Sequence, residues 1–107
     1  MRKLAMTVAL LALAAGCGGR ATEVHVAVTD DGFVPEVVTV PRGVPATLVI
    51  TRKVDATCAT EAVFAATGRT FPLPLGQDVR IPIETAKAET LAYACGMDMY
   101  HGKVVVR

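Results

Sequence analysis

Cys95-Gly96-Met97-Asp98-Met99-Tyr100-His101 gathers a thiol, two thioethers and an imidazole into seven residues near the end of a 107-residue chain. Of the four methionines, Met1 and Met6 lie in an apolar N-terminal stretch, which leaves Met97 and Met99 as the two beyond it. Beyond that stretch and Cys17, the one cysteine besides Cys95 is Cys58. Thiolate and thioether sulfur are soft ligands, and soft ligands select soft ions, Cu(I) above all. The chemistry these residues can do is metal binding, with copper as the ion and Cys58, Cys95, Met97 and Met99 as candidate ligands. His101 is a further candidate, because imidazole is a frequent metal ligand. Zinc suits a cysteine–histidine pair, but methionine holds little attraction for it.

Each of these residues also has a plainer reading. Two cysteines in an exported protein commonly pair, so Cys58 and Cys95 read either as ligands or as a structural disulfide. A disulfide is also the oxidised resting form of a ligand pair, so the readings overlap. Cys95 is in phase with Leu91 and Tyr93 and should point inward, where a buried inert thiol is common. Against inertness stands the loop that follows: Met97 and Met99 are flanked by Gly96, Asp98 and Tyr100, a poor context for core packing. His25 alternates with Val24, Val26 and Val28 and reads as an exposed strand histidine. Arg52, Lys53 and Arg69 would lower the thiol pKa values if folding brought them close. Phe64, Tyr93 and Tyr100 read as packing residues.

The N-terminus reads as a targeting segment. Arg2 and Lys3 precede an apolar run, Leu4 to Ala15, too short to cross a bilayer as a helix. The run ends in Leu13-Ala14-Ala15-Gly16-Cys17, which looks like a bacterial lipobox with alanine where leucine is more usual. The expected division is a signal peptide over 1–16, a lipid-modified Cys17, a short tether over 17–22 and one domain over 23–107. An ordinary secretory cleavage that leaves Cys17 free or removes it is the alternative. A lipid on Cys17 would hold the domain to a membrane without a spanning helix. The expected location is periplasmic, or the extracytoplasmic face of a bacterial membrane.

Without Arg2 and Lys3, nine basic residues face ten acidic ones, scattered singly along the chain. A near-neutral chain with no basic cluster argues against nucleic acid as a partner. No Cys-x-x-Cys pair, no Gly-x-Ser-x-Gly and no carboxylate pair at a telling spacing points to an enzyme.

The elements that must position the sulfur atoms are strands. Val24, Val26 and Val28 alternate with Glu23, His25 and Ala27, the pattern of a half-buried strand. Asp30-Asp31-Gly32 is a turn. Val37 to Val40 and Ala46 to Arg52 follow as strands, and Val54 to Thr60 as a loop that carries Cys58. Glu61 to Ala65 is a short strand or a helical turn. Thr67 to Gly76 is irregular, with two glycines and two prolines forbidding a long helix. Val79, Ile81 and Ile83 alternate again, and Pro82 places that strand at a sheet edge. Leu91, Tyr93 and Cys95 share a face of the next strand, and the last runs from Val104 to Arg107. Short strands at close spacing predict an all-β fold, a β-sandwich with Greek-key connections.

Phe33-Val34-Pro35 with Val38-Thr39-Val40-Pro41-Arg42-Gly43 resembles the opening of cupredoxin domains. The closing strand, ligand loop and Gly102-Lys103-Val104-Val105-Val106 resemble their end. Within that superfamily the pattern is similar to a Cu(I)-binding branch. The residues that carry this likeness are Thr51-Arg52, Cys58, Glu61-Ala62-Val63-Phe64 and Cys95 through Met99, and the resemblance spans Glu23 to Arg107. Domains of that branch occur alone, membrane-anchored, or attached to copper-exporting P-type ATPases. The resemblance implies a cupredoxin-like Greek-key sandwich. It further implies a tight Cu(I) site at Cys58 and Cys95, and a weaker, more exposed one at Cys95, Met97 and Met99. The implied role is a copper chaperone or scavenger that exchanges metal with a copper-exporting ATPase or another carrier. Two other roles stay open. One is an electron-transfer cupredoxin, which normally needs two imidazoles and a thiolate. The other is a metal-free domain with a Cys58–Cys95 disulfide.

Overall fold

The computed structural model describes residues 21–107, so the signal segment, Cys17 and the tether up to residue 20 lie outside the described residues. The described chain folds into nine strands and no helix. They are β1 (Thr22–Thr29), β2 (Gly32–Val34), β3 (Val37–Val40), β4 (Ala46–Arg52), β5 (Glu61–Phe64), β6 (Thr70–Pro72), β7 (Asp78–Ile83), β8 (Glu89–Ala94) and β9 (His101–Val106). One sheet has the order β2-β1-β4-β7 and the other β3-β9-β8-β5-β6. The chain is an all-β sandwich of two mixed sheets. β1 runs parallel to β4, with Val24 opposite Leu48, and β3 runs parallel to β9, with Val40 opposite Val106.

Period-2 alternation decides which side chains enter the space between the sheets. Val26 and Val28 of β1, Leu48 and Ile50 of β4 and Ile81 of β7 face Tyr93 of β8 and Val104 and Val106 of β9, all buried. His25 sits on the outer face of β1, beside Glu23, as expected. Its register partner Val49 is nonetheless fully buried, flanked by His25 on one side and Arg80 on the other. Tyr93 anchors the aromatic part of the core. Its ring meets Phe33 edge-on at 4.9 Å and stacks on Phe64 at 5.2 Å. Gly102 is its register partner on β9, and a Cβ there would collide with the ring, so the ring crosses the strand where no side chain stands.

One open choice is settled, and three details differ from expectation. Glu61–Phe64 is a strand, which settles the choice left open there. The segment Thr67 to Gly76 is not wholly irregular, because Thr70–Pro72 pairs with β5. Pro72 lacks an amide donor, and it is tolerated because β6 is the edge strand of its sheet. The last strand begins at His101 rather than Val104, and the first begins at Thr22. Pro82 does lie on an edge strand, β7.

The strand directions sort the connections into two poles. At one lie the Asp30–Asp31 turn, the 53–60 segment, the 73–77 segment and the 95–100 loop. At the other lie the start of β1, the 41–45 turn, the β5–β6 hairpin turn, the 84–88 connection and Arg107.

Candidate metal centre

Cys58 and Cys95 come from different connections and meet at the first pole. Cys95 directly follows β8 and is 2 % exposed; Cys58 is half-buried in the loop after β4. Their Sγ atoms are 3.4 Å apart, and both are free thiols.

The 95–100 loop folds around the Cys95 sulfur. A turn is closed by the Asp98 N–H donating to the Cys95 carbonyl at 2.8 Å. Asp98 takes a φ of 60°, a left-handed conformation that aspartate tolerates better than most residues. That reversal aims two successive amides at the sulfur: the N–H of Met99 donates to Cys95 Sγ at 3.2 Å and that of Tyr100 at 3.3 Å. Tyr100 then pins the loop to the neighbouring turn. Its hydroxyl donates to the Asp30 carbonyl at 3.2 Å. Its ring covers Gly32, whose φ of 96° and close approach suit only glycine. On the other side of the loop the Glu61 carboxylate lies against Gly96, leaving no room for a Cβ.

The two thiols are pushed in opposite directions. Burial raises the Cys95 thiol, but N–H donation from Tyr100 and Met99, the Cys58 thiol and the Met97 amide outweigh it, so it titrates below its ordinary value. Cys58 titrates above its own, because its S–H is held by Cys95 and because burial and the neighbouring charge disfavour a second thiolate. Of the two thiols, Cys95 is therefore the one that loses its proton first, with Cys58 as its hydrogen-bond partner.

Arg52 supports the Cys58 loop. Its side chain is 12 % exposed, and it donates to the carbonyls of Val54 at 3.0 Å, Leu73 at 3.0 Å and Asp55 at 2.9 Å. Arg52, Lys53 and Arg69, expected to lower the thiol pKa values if folding brought them close, are not among the causes of either shift; backbone amides are. Arg69 lies at the opposite pole, over the Phe71 ring at 5.0 Å.

Met97 and Met99 are 68 % and 65 % exposed, an unusual state for large apolar side chains beside a buried sulfur. His101 opens β9 with an exposed side chain, and its Nε2 meets Asp98 Oδ1 at 2.9 Å. His25 pairs with Glu23 at 3.1 Å, on the outer face of β1. Among the described residues, no three His, Cys, Asp or Glu side chains form a metal-sized group. The donors that meet are the two thiols, and two exposed thioethers stand on the loop that begins with Cys95. That set fits a soft, low-coordinate ion and not the two-imidazole set of an electron-transfer copper site. The amides of Met99 and Tyr100, the Arg52 contacts and the Glu61 carboxylate escaped sequence reading. Only the Thr51-Arg52 and Glu61 positions in the motif gave any sign of them.

The profile of the cupredoxin-like domain family matches residues 3–106. The chain belongs to the cupredoxin-like family. Among solved structures, a copper binding protein determined in its apo form by NMR is 33 % identical to this cupredoxin-like domain, with a TM-score of 0.73. That match covers 86 % of this chain and 93 % of the other. The metal-binding domain of the Cu(I) exporting P-type ATPase CopA of Streptococcus pneumoniae D39, solved with Cu(I), has the same TM-score of 0.73 at 20 % identity, covering 87 % and 92 %. Reduced auracyanin from the photosynthetic bacterium Roseiflexus castenholzii is 16 % identical, with a TM-score of 0.63, covering 83 % and 99 %. At these two lower identities the likeness is one of fold. No curated protein matches the chain.

Proposed function

We propose that this cupredoxin-like domain binds Cu(I) as cargo, and that it works as a copper chaperone or scavenger held at the extracytoplasmic side of a bacterial membrane. The observation that carries the reading is the 3.4 Å approach of Cys58 to Cys95, beside a loop that exposes two thioethers. Metal–thiolate bonds run to about 2.3 Å for zinc, so two sulfurs at this separation can share one ion. Cys95, held below its ordinary value, gives up its proton the more readily, and Cys58 releases its own as the ion bridges the pair. Met97 and Met99, neutral and exposed, hold Cu(I) less firmly than a thiolate. They form a second station, with Cys95 as the shared sulfur, through which the ion enters or leaves by exchanging one sulfur at a time. The 33 % identical copper binding protein and the fold shared with a Cu(I)-loaded ATPase domain support copper as the ion and a copper-exporting ATPase or similar carrier as partner. The leader ending in Cys17 supports export and a lipid anchor.

An anaerobic Cu(I) titration of the reduced protein against a competing chelator tests this. Tight binding that collapses in Cys58→Ser supports the reading; binding no stronger than that of an unrelated dithiol rejects it. The same sulfur proximity favours one other reading, a structural Cys58–Cys95 disulfide. Thiol counting on protein taken directly from membranes, without reductant, separates the two: two reactive thiols argue for the metal site, none for the bridge.

A further inference from the structure

Charges that scatter singly along the chain are sorted by the fold. The pole that carries the sulfur site bears Asp30, Asp31, Asp55, Glu61, Asp78 and Asp98. Its basic residues are Lys53 and Arg52, and the Arg52 guanidinium is bound to loop carbonyls and paired with the Asp55 carboxylate. The opposite pole bears exposed Arg42, Arg69, Lys87 and Arg107 against Glu84, Glu89 and Glu23, the last paired with Arg80. These cations come from separate connections. Backbone hydrogen bonds draw three of those connections together: Arg42 N–H donates to the Arg107 carbonyl at 3.2 Å, and Gly43 N–H to the Thr85 carbonyl at 2.7 Å, two residues before Lys87. The described chain enters at this same pole, where the Thr22 N–H donates to the Pro45 carbonyl at 2.8 Å. The segment that contains Cys17 therefore joins the described chain at the basic pole.

We propose that the basic pole is a membrane-facing surface, seated on the anionic headgroups of a phospholipid bilayer, and that it holds the sulfur site upright toward the aqueous phase. Anionic leaflets attract clusters of Lys and Arg within a Debye length, and the acidic pole is repelled by the same field. Tether length agrees. Residues 17–21 span no more than about 18 Å even when extended. The poles are separated by the length of β1, about 25 Å for an eight-residue strand. An anchored domain cannot invert fully on that tether. The place of the bilayer rests on the exported, membrane-held reading of the function; copper binding does not enter. The consequence for metal traffic is that copper reaches or leaves Cys95, Met97 and Met99 from the aqueous side, across an acidic surface that suits a cation or a partner with a basic face.

Two lysines report the orientation without added labels: Lys87 at the basic pole and Lys53 at the sulfur pole, both exposed. The full chain, purified from membranes of an expression host, is reconstituted in vesicles of phosphatidylcholine alone, or with roughly a third phosphatidylglycerol, and treated with an amine-acylating reagent. With phosphatidylglycerol, Lys87 should react roughly threefold or more slowly relative to Lys53, with the contrast lost at high salt and in Arg42→Glu/Arg107→Glu. Both substituted side chains are exposed and remote from the sulfur pole, so unchanged circular dichroism and Cu(I) stoichiometry certify the variant's fold. Equal Lys87 reactivity in both vesicle types, protection of Lys53 instead, or protection that persists in the folded double variant overturns the proposal. Sedimentation with phosphatidylcholine vesicles reports the anchor by itself. If the anchor fails, sedimentation with phosphatidylglycerol vesicles alone still supports the basic pole, and sedimentation with neither overturns it.

Discussion

The backbone N–H of Tyr100 donates to the sulfur of Cys95 at 3.3 Å, one residue beyond a like donation from Met99 at 3.2 Å. Peptide groups supply both bonds, so the stabilisation of a Cys95 thiolate is built into the path of the loop rather than into any one side chain. This explains how a buried thiol is held below its ordinary pKa with no cation acting on it.

The sign of the copper–pH coupling follows. Below the lowered Cys95 value, both thiols must lose a proton when Cu(I) binds. Between that value and the raised Cys58 value only Cys58 must; above both, neither does. Each proton displaced makes the apparent affinity climb about tenfold per pH unit. Competition titrations between about pH 6 and 8, around the free-thiol range, should show affinity rising by at least that slope. A flat profile would mean that the two thiols are not the ligands.

Tyr93 offers a test of the core. Its hydroxyl is buried without a hydrogen-bond partner, and burial pushes its pKa well above the usual phenol range. A buried polar group left unpaired costs about 1–3 kcal/mol. Tyr93→Phe is therefore expected to stabilise the domain by about 1 kcal/mol, which raises Tm by roughly 4–8 °C in a domain of this size. Gly102→Ala should do the reverse, losing about 1–3 kcal/mol as its methyl meets the Tyr93 ring. Thermal unfolding reads both, and a lower Tm for Tyr93→Phe would show that the hydroxyl has a partner in solution.

How far the molecule could be read beforehand follows from what alternation encodes. β1 and β7 announce themselves because each has period-2 patterning over a buried face, and β4 by its run of strand-forming residues, although Val49 is buried with Leu48 and Ile50 and breaks the alternation. β2 and β6 have three residues each, too few for a period to register. The sulfur pair was legible as two cysteines but not as a distance, since Cys58 and Cys95 are 37 residues apart. The N–H donors to Cys95 were invisible because every residue has an amide. The charge segregation was hidden because each pole is assembled from alternate turns, so neighbours in space are distant in sequence.

Arg52 should be the residue whose loss most disturbs the Cys58 loop without touching a sulfur. It is nearly buried and satisfies carbonyls of Val54, Asp55 and Leu73 at once. Arg52→Met keeps the apolar stem but strands those carbonyls, for a loss of about 2–3 kcal/mol. Arg52→Lys should recover only part of it, because a single ammonium cannot reproduce the guanidinium fork. Urea unfolding gives the stability, and Cu(I) competition should show a drop of roughly tenfold, or about 1.4 kcal/mol, as Cys58 loses its fixed place. Wild-type affinity in a clearly destabilised Arg52→Met would mean that Cys58 needs no such support.

Met97 and Met99 separate function from stability most cleanly. Both are largely exposed, so truncating them should alter unfolding free energy by no more than about 0.5 kcal/mol. The turn that reverses the loop depends on Asp98 and on amides, which the replacements leave in place. Met97→Ala/Met99→Ala should therefore retain the Cys58–Cys95 site and lose one weaker copper equivalent. It should also slow transfer of copper to an acceptor, because the ion must then leave directly from two thiolates. Cu(I) titration to saturation counts the equivalents, and stopped-flow transfer to a chromogenic chelator gives the rate. Loss of both equivalents would place the methionines in a single shared site; loss of neither, with an unchanged rate, would leave them without a part in metal handling.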